Sequence, residues 1–185
     1  MRQFLVGFAL VFASFGLPAA TSSGTKTGPL QAAYTMRLFE EACLNNRSDY
    51  GRVSIWARNA GLPELAAAAS ENLLRGETGK AWNASAPIGE FVIILTEGGL
   101  CSVSARQADA IRIRTLYLEL LPTRDDSVKI RKIRDSKTQK AYGEQYSIEY
   151  QLVPESGAKK ASYSVIYSDS PKAPTQARIS LSIQK

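Results

Sequence analysis

The side chains that could do chemistry in this chain are few, and their spacing suits structure better than catalysis. Two cysteines, Cys43 and Cys101, are the only thiols, and there is no histidine in 185 residues. The missing histidine removes the commonest general base and the commonest imidazole ligand together. A Ser-His-Asp arrangement cannot operate. Two separated thiols without imidazole give no zinc or copper spacing. Asp125-Asp126 is a carboxylate pair, but the residues around it lack the alternating ligands of a calcium loop. Glu40-Glu41 are neighbours on one helix, whereas carboxylates that cleave a glycosidic bond converge from separate elements. Gly98-Gly99 precedes a strand and not a helix, so it serves a turn and not a phosphate cradle. No Ser-x-x-Lys stands at a helix start. No catalytic residue, metal site or cofactor is therefore expected, and the chain reads as non-enzymatic. The alternative is an envelope hydrolase or transferase using carboxylate or serine chemistry.

The thiols find a simpler use in each other. Met1-Arg2-Gln3 is a short positive region, Phe4 to Leu17 is apolar, and Pro18-Ala19-Ala20 closes the run with small residues. That is the pattern of a secretory signal peptide over residues 1–20, cut after Ala20 or Ala19. The run is shorter than the ~20 apolar residues a membrane span needs, and no membrane span is expected. Export leads to an oxidising compartment, the periplasm or the exterior, where an even pair of cysteines reads as a disulfide. A Cys43–Cys101 bond would close a loop of roughly 60 residues and stabilise the fold by about 4 kcal/mol in the chain-entropy picture. A reactive thiol would need a base or a helix dipole beside it.

Three groups of elements must hold that bond. Residues 21–29, rich in Thr, Ser, Gly and Lys, read as a flexible leader, and 30–185 as one domain. A helical period runs from about Leu30 to Leu44, with Met36, Phe39 and Cys43 on one face. A second helix is expected from Tyr50 to Ala60, capped by Ser48 or Asp49 and ended by Gly61. Pro63 is expected to open a third, with Leu65, Ala68 or Ala69, and Leu73 as its apolar stripe, and Glu77–Ala86 to form a loop anchored by Trp82. Glu90–Leu95 and Leu100–Val103 then make a hairpin around Gly98-Gly99, its first strand apolar throughout and so buried on both faces. Ser104 and Gln107 match a capping box that would start a helix over Ala105–Leu121, stopped by Pro122. Beyond it the period becomes two. Val128 and Ile130, then Tyr146, Ile148, Tyr150 and Leu152, then Tyr163, Val165 and Tyr167, then Ile179, Leu181 and Ile183 alternate with polar residues as four sequential strands. The predicted fold is α+β: a two-layer sandwich with N-terminal helices and one central helix packed on a mainly antiparallel sheet of five or six strands.

The formal charge is +6, with a pI of about 9.4, and it is densest in Lys129–Arg134 and at Lys159-Lys160. Such a balance suits a solvated surface and also an anionic partner. The four strand tyrosines lie near basic residues, a combination able to stack bases or sugars, although cross-strand packing is the more ordinary use of that spacing. An exported protein rarely meets nucleic acid, and none is expected as partner.

The block Leu38-Phe39-Glu40-Glu41-Ala42-Cys43-Leu44, with Trp56-Ala57, Gly61-Leu62 and Gly99-Leu100-Cys101-Ser102-Val103, resembles small exported bacterial proteins and lipoproteins of unassigned function. In these a helix ending in Cys-Leu precedes a Gly-x-Cys-Ser-Val segment. The chain departs from the lipoprotein members in lacking a lipobox. The resemblance spans about residues 34–121 and implies no activity, so it transfers no catalytic residue. The reading is a soluble periplasmic binding or interaction domain, whose partner is another envelope protein or an anionic cell-envelope polymer. The sequence does not fix its oligomeric state.

Overall fold

Alternation with period two fills so much of the chain that a single sheet organises it. The computed structural model describes residues 27–121, 128–156 and 159–183. The expected signal peptide, Asp125-Asp126, Pro122 and Gly157 fall outside those residues. Among the described residues there are four α-helices: α1 (Thr27–Phe39), α2 (Tyr50–Asn59), α3 (Ala67–Leu74) and α4 (Ala110–Glu119). Seven strands accompany them: β1 (Gly79–Asn83), β2 (Phe91–Thr96), β3 (Leu100–Ala105), β4 (Val128–Lys140), β5 (Gly143–Pro154), β6 (Ala161–Tyr167) and β7 (Ala177–Ile183). They form one antiparallel sheet in the order β1-β2-β3-β7-β6-β5-β4. The fold is thus α+β as expected, with seven strands in place of five or six.

The register explains which face is buried. One row across the strands reads Trp82, Ile93, Val103, Ile179, Val165, Ile148, and the next reads Leu95, Cys101, Leu181, Tyr163, Tyr150. These side chains point to the same side, because residues opposite each other in a ladder share a face. α1 lies across β3 and β7, α4 across β6 and β7, and α2 against β2. Between the layers Met36, Phe39, Val53, Ile93, Val103, Ile113, Tyr117 and Ile179 form the core. The other side of the same strands carries Ser102, Ser180 and Ser164 in one row and Ser182 and Ser162 in another. Among the described helices α3 alone packs on that second face, against β1 and β2. There Ile94 and Ala81 are buried apart from the main core, and this is why β2 is apolar at every position but its last.

Several boundaries differ from the sequence reading. Among the described residues α1 is already helical at Thr27, ahead of Leu30, and Pro29 is accommodated within it. It continues through a π-helical turn, Glu40–Leu44, which brings Cys43 to the inner face. Pro63 does not open a helix. Residues 63–65 run extended along β1: the Leu65 amide donates to the Ala81 carbonyl (2.8 Å) and the Asn83 amide to the Pro63 carbonyl (2.9 Å). Those bonds outweigh the helical signal of the alanine run, and α3 begins only at Ala67. The loop expected over Glu77–Ala86 contains β1. Trp82 is its anchor, 3% exposed, but as a member of an ordered strand. β1 is hidden in the sequence because only its Ala81-Trp82 pair is apolar, its order coming from the β2 edge. Gly79 is required there, since a Cβ would stand 2.2 Å from the Leu95 carbonyl oxygen.

The capping box at Ser104 is also corrected. Ser104 and Ala105 belong to β3, and the cap of α4 is Asp109, whose carboxylate accepts from the Arg112 amide at 2.7 Å. The buried stripe of α4 is Ala110, Ile113 and Tyr117, and Ile111 is 76% exposed. The hairpin at Gly98-Gly99 is as expected, with Gly99 at φ +93° and the Ile183 carbonyl oxygen 3.0 Å from where its Cβ would be.

Cys43 and Cys101 are bonded, with their Cα atoms 5.5 Å apart and both side chains fully buried. The bond joins the end of the first helical segment to β3 and closes a separation of 58 residues. Replacing Cys101 by Ala is predicted to lower unfolding stability by about 4 kcal/mol. Denaturant midpoints of wild type and variant, each with and without reductant, check this. A wild-type midpoint indifferent to reductant would refute it.

Candidate binding surface

The helical layer is narrower than the sheet, and the difference creates the surface of interest. Three neighbouring core-side rows change character as they leave the helices. The row from Ile179 and Val165 ends in Ile148 and Asp135, that from Leu181 in Tyr163, Tyr150 and Lys132, and that from Ala177 in Tyr167, Tyr146 and Lys137. Apolar residues give way to tyrosine over β5 and to charge on β4. Tyr117 of α4 reaches out to this margin: its ring lies 6.4 Å from Tyr150, and its hydroxyl donates to the Tyr163 carbonyl at 2.9 Å. Beyond it β4, exposed from Arg131 onward, forms a flange along the half-buried β5.

The tyrosines singled out by their spacing divide accordingly. Tyr163 and Tyr167 sit at the core margin, and Tyr167 stacks on Tyr146 with ring centroids 5.2 Å apart. Tyr146 and Tyr150 are half-buried, and each carries a lysine over its ring, Lys137 and Lys132, both at 5.6 Å. The same lysines pair with carboxylates, Lys132 with Asp135 at 2.9 Å and Lys137 with Glu144 at 2.6 Å. Hydrogen bonding to these carboxylates is the main cause that raises both ammonium pKa values, and the Lys137 bond lowers that of Glu144.

β4 itself carries six Lys or Arg and one Asp in 13 residues, and everything from Arg131 onward is exposed. Its ladder to β5 is interrupted by a bulge between Lys132 and Arg134, with Ile133 exposed. Lys129 and Arg134 also contact carboxylates, Glu155 and Glu149. Arg131 makes no ion pair with another described residue. Among the described residues no strand lies beyond β4, whereas the opposite edge of the sheet, β1, is covered by residues 63–65. The sequence shows Lys129–Arg134 as basic and Val128–Ile130 as a strand. It does not show that the strand runs on to Lys140, since Arg134–Lys140 has no apolar alternation; the register to Gly143–Glu149 supplies the order instead.

Of the other residues weighed for chemistry, Glu41 is exposed and faces Arg37 at 3.6 Å, one helical turn away. Among the described residues no three of Cys, Asp and Glu gather as metal ligands, and no helix is long and apolar enough to cross a membrane. Comparison of the chain with family models, curated proteins and solved structures finds no match. The surface must be judged on its own geometry.

The tyrosines give a pH test of this margin. Burial, with the charges of Tyr150 and Glu149 adding to it, pushes the Tyr117 phenol well above its ordinary range, and burial pushes Tyr163 up to about 12. In the unfolded chain both ionise near pH 10. The folded state therefore holds protons that the unfolded state releases, so stability is full below pH 10 and falls as pH rises toward 12. Tyr117→Phe should cost about 1 kcal/mol at neutral pH, for the lost bond to Tyr163, and flatten that alkaline decline. Denaturant titrations from pH 8 to 12 check it, and an equally steep decline in the variant would refute it.

Proposed function

We propose that the protein is an exported, non-enzymatic binding domain of the periplasm that receives an extended, acidic segment of another envelope protein along the free edge of β4. The observation that carries this reading is the asymmetry of the sheet edges. β1 is covered by the chain's own residues 63–65, while β4 offers 13 residues with no strand beyond them among those described. An open edge accepts a peptide through main-chain hydrogen bonds, and side chains set its specificity. Here the side chains are basic. The same charges and the bulge oppose pairing with a second copy of β4, which would set like charges against each other. Existing ion pairs on the flange are largely exposed and screened by solvent, so a partner's carboxylates can displace them at small cost. The oxidised cysteine pair suits an exported location.

An anionic cell-envelope polymer is the other partner the charge admits, and it would touch the lysines and arginines without using the backbone edge. Cross-linking capture from periplasm distinguishes them. Wild-type protein should recover a protease-sensitive partner, and Arg131→Glu with Lys132→Gln should cut recovery about tenfold while the melting temperature stays within a few degrees. Protease-resistant captured material would favour the polymer. No recovery, or undiminished recovery by the variant, would overturn the proposal.

A further inference from the structure

We propose that Arg75, Lys140 and Arg178 form a binding site for a tetrahedral oxyanion, the phosphate or sulfate group of a small ester or of a polymer. Three distant segments supply the cations. Arg178 projects from β7 on the serine-bearing face, Arg75 follows the last turn of α3 on that face, and Lys140 ends β4. Together with Tyr142, Gln145, Ile166, Pro174 and Thr175 they line a cavity of about 380 Å³, within the range of small-ligand sites. No carboxylate lines it, and none of the three cations makes an ion pair with a described residue.

The remaining polar groups are also set to donate. The Tyr142 hydroxyl donates to Gln145 Oε1 at 2.5 Å, which leaves the Gln145 amide nitrogen as a donor. Arg178 Nε donates to Ser104 Oγ at 2.8 Å, and this bond anchors the guanidinium while its terminal nitrogens remain available. Ser170 donates to the Tyr142 carbonyl, fixing the loop that closes the cavity. Burial, and secondarily the neighbouring Arg75, lower the Arg178 pKa. Two guanidinium groups held near each other repel until an anion sits between them, and paired guanidinium forks match phosphate geometry.

Arg75 caps the C-terminus of α3 in the left-handed conformation, with φ +53°. A side chain there is strained where glycine would not be, so Arg75→Gly removes the guanidinium without disturbing the backbone. The site lies on the serine face and shares only Lys140, the last residue of β4, with the edge, so it does not depend on strand addition.

The test is a thermal-shift and calorimetric titration of the exported protein with inorganic phosphate, against sodium chloride of matched ionic strength. A glycerol-phosphate oligomer at equal phosphate concentration forms a second arm. Wild type should show a phosphate-specific rise in melting temperature. Arg75→Gly and Lys140→Gln should each weaken binding about tenfold while keeping the ligand-free melting temperature. Tighter binding of the oligomer would assign a polymer, and equal binding a small ester, and both support the site. The proposal fails if phosphate does no more than chloride, or if Arg75→Gly binds as tightly as wild type.

Discussion

The constraint on which the rest of the structure depends is a mismatch of widths. Seven strands spaced about 4.8 Å apart span about 29 Å, and helices packed side by side cover about 8–10 Å each. α1 and α4, the two that lie across β3, β7 and β6, therefore cannot reach the far edge, and β4 and β5 emerge from under them. The side chains follow this geometry row by row. Ile179 and Val165 lie under the helices, Tyr163 and Tyr167 at their margin, Tyr150 and Tyr146 outside, and Lys132 and Lys137 at the edge. Each type suits its local exposure: aliphatic where water is excluded, amphipathic at the boundary, charged where the sheet ends.

Within the covered part, the Cys43–Cys101 bond connects the two layers at their centre. Cys101 shares its row with Leu95 and Leu181, and Cys43 arrives there through the π-helical turn that follows α1. The covalent link and the apolar rows act on the same interface. They hold the helices on one half of the sheet and leave the other half to its ladder hydrogen bonds. On the opposite face α3 alone among the described helices provides cover, over β1 and β2, and its end places Arg75 beside the serine rows.

Much of this architecture is legible in the amino-acid sequence alone. The disulfide follows from two cysteines and the expected export, β2 and β3 from an apolar run and the Gly98-Gly99 turn, and β5, β6 and β7 from alternation in their own residues. The features that are not legible depend on partners remote in sequence. β1 has too little pattern of its own and takes its order from β2. The second half of β4 is polar on both sides and is defined only by its register to β5. Ser104-x-x-Gln107 satisfies a helix-start motif locally, but pairing of Ser104 with Val92 and Arg178 keeps it in β3, and Asp109 takes the cap. The cationic site is the least visible, because Arg75, Lys140 and Arg178 are joined by no spacing, only by the crossing of α3 to the serine face.

The central claim, that no described residue covers the edge of β4 beyond the helical layer, is tested most directly by native-state hydrogen exchange resolved to single amides. The account predicts slow exchange throughout β3, β7 and β6, and along β4 an alternation in which amides directed at β5 are protected and those directed outward exchange at nearly unprotected rates. Uniform protection along β4, equal to that of β7, would mean that something already covers the edge and would contradict the account.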